Sequence, residues 1–159
     1  MTEQKIEQII INELSGALAA ADITNVQTIG AWQTSNDDSL KAFEDGRAHG
    51  VLAVKAYPRT YETPTIADCA IQVDISLTMR ADIDKTGAEW IAATDAISRK
   101  THLWQKSYND YAPTFAVEGE FEPTGYNIAG GDCGLDRSSG TWQFSQSLNL
   151  YGIISFDGN

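Results

Sequence analysis

The residues best placed by type and spacing to do chemistry in this 159-residue chain are Gly130-Gly131-Asp132-Cys133-Gly134. A tight, glycine-flanked turn can aim a thiolate and its own backbone amide at an oxyanion. That chemistry also needs an imidazole base and a third group to orient it. Only His49 and His102 exist. His102 falls late in a helical pattern and His49 at the edge of a strand, neither with an acidic partner in a recognisable context. The stretch therefore reads as a Gly-rich hairpin, with a cysteine hydrolase using Cys133 as the enzymatic alternative. Asp82-Ile-Asp84 and Asp37-Asp38 are the close acid pairs that suggest a divalent cation. Neither has third and fourth oxygen ligands at a spacing calcium would need. The first pair lies just before a helix start, where carboxylates are favoured by capping and by the dipole. There is no phosphate-binding Gly loop before a helix, no serine elbow and no Cys-His cluster. No catalytic residue, metal ligand or cofactor is assigned, and the weight falls on a binding or structural role.

Cys69 and Cys133 stand 64 positions apart and match no metal spacing. In a cytosolic chain they are expected as reduced thiols, Cys69 as a small apolar filler beside a buried strand. The glycine-flanked cysteine is similar to the nucleophile loop of chymotrypsin-like proteases with cysteine in place of serine. Those proteases are double barrels with almost no helix, whereas this chain carries two clear helices.

The elements that must position any site follow from periodicity. From Ala70 to Arg80, Ile71, Val73, Ile75, Leu77 and Met79 alternate with Gln72, Asp74, Ser76 and Thr78. A two-residue period held this long means one strand with a dry and a wet face. Residues 3–22 place Ile6, Ile9, Ile10, Leu14, Ala17 and Leu18 on one helical stripe, with Glu7, Asn12 and Glu13 off it. A second helix starts at a capping box, Thr86-Gly-Ala-Glu89, and turns Trp90, Ile91, Thr94, Ile97 and Trp104 inward. Strands are expected at 26–32, 50–57, 112–121 and 141–156, with Gln33 to Asp38 as a polar loop. The last carries Trp142, Phe144, Leu148, Leu150, Ile154 and Phe156 in one phase and is long enough to bend at Gly152 or outrun the sheet. Residues 122–140 are Gly-rich and too polar for core. Pro58-Arg-Thr-Tyr-Glu-Thr-Pro64 brackets two polar pairs between prolines and predicts a long exposed hairpin arm. The fold class is α+β, a mostly antiparallel sheet with two helices packed on one face, as a single domain over 1–159.

Charge narrows the partners. Twenty-two acids against 11 bases leave a net charge of −11. Gripping DNA or RNA needs a basic field, and adsorbing to an anionic membrane needs the same, so both are excluded. No apolar stretch approaches the ~20 residues of a bilayer helix, and a polar N-terminus running into an amphipathic helix is no signal peptide. The default address is the cytoplasm.

Taken in order, the opening helix Ile6 to Leu18, the strand Cys69-Ala-Ile-Gln-Val-Asp-Ile-Ser-Leu-Thr-Met-Arg80, the helix Ala88 to Ile97, Phe115-Ala-Val-Glu-Gly119 and the closing Trp142 to Leu150 resemble phage tail-completion or tail-terminator proteins. The match covers most of the chain as pattern and order, without a chemical signature. The resemblance implies an α+β virion subunit of the tail end or neck that forms a ring, usually a hexamer, on the last tail-tube ring and joins it to the head. It implies copies of itself, tail-tube and head-completion proteins as partners, with a place in the virion and in the host cytoplasm during assembly. Tyr57, Pro58, Arg59, Tyr61 and Pro64 on the arm are the candidate interface, because exposed tyrosines are enriched at interfaces. The acid surplus suits a channel through which DNA slides. The alternative from another class is a non-catalytic protein- or peptide-binding module.

Overall fold

The computed structural model describes residues 1–34, 36–61 and 68–154. In chain order its elements are α1 (Thr2–Ala20), β1 (Val26–Gly30), α2 (Asn36–Glu44), β2 (Gly50–Ala56), β3 (Thr60–Tyr61), β4 (Asp68–Arg80), α3 (Ala88–Lys106), α4 (Tyr108–Phe115), β5 (Phe121–Asp136) and β6 (Thr141–Ile154). They build the expected α+β fold: one six-stranded sheet in the order β1-β2-β4-β6-β5, with β3 added on β4. Among the described residues only the β1–β2 pair is parallel. Among the described residues no helix is long and apolar enough to cross a membrane.

β4 fixes the two faces of the sheet. Ile71, Val73, Ile75, Leu77 and Met79 are fully buried against the helix layer, where α1 places Ile6, Ile10, Leu14 and Leu18 and α3 places Ala93, Ile97 and Trp104. Trp104 meets Phe115 edge-on at 5.1 Å between ring centres, and Phe115 stacks on Tyr126 at 6.0 Å. These contacts tie α3, α4 and β5 into one aromatic cluster. On the opposite face, Gln72, Asp74, Ser76 and Thr78 of β4 lie beside Gln143, Ser145, Ser147 and Asn149 of β6.

Several expectations change. Among the described residues the helices number four, although α1 and α3 form the layer over the sheet. The polar stretch read as a loop contains the start of α2, a helix with Ala42 as its one buried residue. Tertiary contacts hold it: Arg80 Nη1 donates to the carbonyls of Phe43 and Glu44 at 2.9 and 2.8 Å, satisfying its last turn. The strand expected over 112–121 is instead α4, followed by a tight turn in which Val117 bridges Phe121. Residues 122–140, expected as a loop, supply most of β5, because β6 pairs it from Phe121 to Asp136 across two register shifts. β6 stays paired to β5 through Ile154, across the register shift at Pro123/Gly125 opposite Gly152, so over the described residues it does not outrun the sheet. A Cβ at Gly152 would collide with the Phe121 ring, which is what requires glycine there. Phe156 lies outside the described residues. Ile91 is exposed rather than inward.

Candidate docking surface

The arm begins where β2 ends. Tyr57 turns back onto the polar face, where its Oη donates to Asp74 Oδ2 at 2.9 Å. The Lys55 ammonium sits 4.6 Å from the centre of the Tyr57 ring. Gln72 Nε2 and Ser147 Oγ donate to the other Asp74 oxygen at 3.0 and 2.8 Å. Burial pushes the Asp74 carboxyl up, but the donors Gln72, Ser147 and Tyr57 outweigh it and hold the group below the usual carboxylate range. The same hydrogen bond to Asp74, with its charge, raises the Tyr57 phenol.

Two residues further, Arg59 reaches the opposite side of the sheet and forms an ion pair with Glu3 on α1. Burial works against the Arg59 charge, yet Glu3, with Tyr61 beside it, prevails and keeps the guanidinium above its ordinary value. Thr60 and Tyr61 then pair with Ala70 and Cys69 as β3. The arm is thus fixed at three points, with Pro58 and Tyr61 facing out; Tyr61 is 46% exposed. Of the five interface candidates, the structure brings Tyr57, Pro58, Arg59 and Tyr61 into one segment, two as anchors and two as exposed groups. Pro64 lies outside the described residues. Reasoning from sequence missed the anchors Glu3 and Asp74. An acid in a first helical turn and an aspartate on a wet strand face both look like ordinary solvated groups.

The candidate chemistry is dispersed. Cys133 is exposed on β5, beside a shallow cavity of about 350 Å³ whose lining includes Ser76, Thr78, Gln143 and Ser145. Neither imidazole approaches it. His49 Nδ1 lies 3.1 Å from Glu89 Oε1, and His102 Nδ1 lies 2.7 Å from the carbonyl of Ser98 in its own helix. Cys69 is buried on β4 and forms no disulfide with Cys133. Asp82 pairs with Arg80, and Asp84 accepts the Glu89 and Trp90 amides at the start of α3. Asp37 and Asp38 sit in the first turn of α2. Among the described residues no three His, Cys, Asp or Glu groups gather where they could hold a metal ion.

No family model and no curated protein matches the chain. Among solved structures it is similar to a chain of the virion of a native gene transfer agent particle, at 14% identity, with 91% of each chain covered and a TM-score of 0.48.

Proposed function

We propose that this chain is a structural subunit of a long-tailed phage virion, a tail-terminator or tail-completion protein that caps the tail tube as a ring of copies and presents the surface to which the head joins. The observation that carries this reading is the anchored arm. Tyr57 and Arg59 hold it to Asp74 and Glu3, while Pro58 and Tyr61 stand outward. A segment ordered before it meets a partner loses little conformational freedom on docking. A head-to-tail ring needs two different complementary patches per subunit, and the arm serves as one of them. The element order behind the resemblance supports the same reading: an opening helix, a long alternating strand, a second helix and a long closing strand share one core.

Its partners in this role are copies of itself, the tail-tube protein and a head-completion protein, in the virion and, during assembly, in the host cytoplasm. The net charge of −11 fits a subunit past which DNA slides without sticking. The test is native mass measurement at neutral pH, alone and with tail-tube protein. Assembly into a ring, alone or on the tube, is the expected result. A monomer that neither rings nor binds tube protein contradicts the proposal.

A further inference from the structure

The two edges of the sheet are built differently. β1 is short, and Asn36 of α2 closes it at Gly30: the Gly30 N–H donates to Asn36 Oδ1 at 3.3 Å, and Asn36 Nδ2 donates to the Gly30 carbonyl at 2.7 Å. An edge group satisfied by a side chain offers nothing to another strand. β5, at the far side, is covered over its first part, where the Ile128 N–H donates to Gln105 Oε1 at 3.1 Å and Tyr126 Oη to the Thr101 carbonyl at 3.1 Å. Beyond the shift at Ile128/Gly130, β5 runs to Asp136 in unbroken register with β6, and every residue from Ala129 to Leu135 is exposed. This segment carries neither the Lys nor the Pro that commonly guards an edge. The Cys133 N–H donates to Asp132 Oδ1 at 2.8 Å and so points away from β6. By strand alternation, the backbone groups of Gly131 and Leu135 point off the sheet with it.

We propose that two copies of the chain pair through this edge, β5 against β5, antiparallel about a two-fold axis at Cys133. The residues around Cys133 are self-complementary in that arrangement. With Cys133 opposite the partner's Cys133, Asp132 faces the partner's Gly134, Leu135 faces the partner's Gly131, and Asp136 faces the partner's Gly130. Each side chain larger than cysteine meets a glycine. Charge selects the register. A slip of two residues one way sets Asp132 against the partner's Asp132, and the other way against the partner's Asp136; like charges directly opposite are destabilising. A slip of one turns outward-pointing groups against inward-pointing ones. The seam forms about six backbone hydrogen bonds, two at each pair whose groups point outward. It gives up the Asp132–Cys133 bond and is a small interface, below roughly 1,200 Å², so the dimer is weak and reversible. A two-fold contact closes at two copies. It is separate from the head-to-tail contact of the ring and does not depend on that reading.

Cys133 is exposed and Cys69 is buried, so cross-linking by a mild oxidant reads the seam directly. A Cys133-linked dimer is expected from wild type and none from Cys133→Ser. Gly134 supplies the charge test, since a Cβ there meets nothing within 4 Å and the monomer fold is left alone. Gly134→Lys sets an ammonium opposite the partner's Asp132 twice per dimer and raises association severalfold, to about tenfold; Gly134→Asp lowers it by a similar factor. Sedimentation of both variants in a Cys133→Ser background reads association without the sulfur. Failure to cross-link at about 100 μM, or equal association of the Lys and Asp variants, overturns the proposal. A ring that forms without any Cys133 link refutes the seam and leaves the ring reading standing.

Discussion

Glu7 is fully buried, and its carboxylate accepts the Trp32 N–H at 3.0 Å and the Ala56 N–H at 3.1 Å. One side chain on α1 therefore satisfies the backbone just past β1 and at the end of β2. A Cβ at Gly30 would collide with this carboxylate, so that glycine belongs to the same device. Replacing Glu7 by Ala orphans one buried and one half-buried donor and is expected to cost about 2–4 kcal/mol in a urea titration. Gln does not rescue it fully, because its amide nitrogen must face one of those N–H groups. The expected place of Glu7, off the apolar stripe, was wrong. Glu3 and Glu7 share the helical spacing of Ile10 and Leu14, but a stripe traced through apolar residues passes over an acid. Asp74 gives a pH test. Its folded-state pKa is lowered, so its contribution is present above the ordinary carboxylate pKa of about 4 and is lost as pH falls through the folded value. The stability difference between wild type and Asp74→Asn should narrow below about pH 4, as followed by thermal melts across pH.

The elements were legible where one periodicity ran unbroken. β4 and the stripe of α1 are seen where apolar spacing predicts them. α3 was legible in place but only in part in its cap. Half of the expected Thr86–Glu89 box is present: the Thr86 hydroxyl accepts the Ala88 amide at 3.4 Å, but Glu89 turns to His49, and the two oxygens of Asp84 accept the Glu89 and Trp90 amides at 3.3 and 2.8 Å. Asp84→Ala should cost about 1 kcal/mol, within 0.5–2, and Thr86→Ala clearly less, measured as shifts in urea midpoint. α2 and β5 were illegible for a physical reason. α2 buries almost nothing of its own and depends on Arg80, and β5 is polar and Gly-rich, made a strand by the partner that pairs it. Propensity yields to tertiary context in both.

At the scale of the molecule, the core is separate from the arm proposed to dock. The helix layer and the dry face of the sheet make one core, and the arm is pinned to both faces by residues distant in sequence. The position of the arm was legible from its prolines. Its rigidity was not, because nothing local marks Glu3 or Asp74 as its anchors. Exchanging Pro58 and Tyr61 for alanine removes one exposed ring and the Tyr61 contact with Arg59, and should cost unfolding no more than about 1–2 kcal/mol, because the Arg59–Glu3 pair and the β3 pairing remain. The same exchange should abolish docking. Native mass spectrometry of wild type and of the Pro58→Ala/Tyr61→Ala chain, each mixed with tail-tube protein, tests this most directly. A ring of wild-type copies on the tube and only unbound chains of the variant are expected. A wild type that stays unbound, or a variant that rings as well as wild type, would contradict the proposed role of the arm.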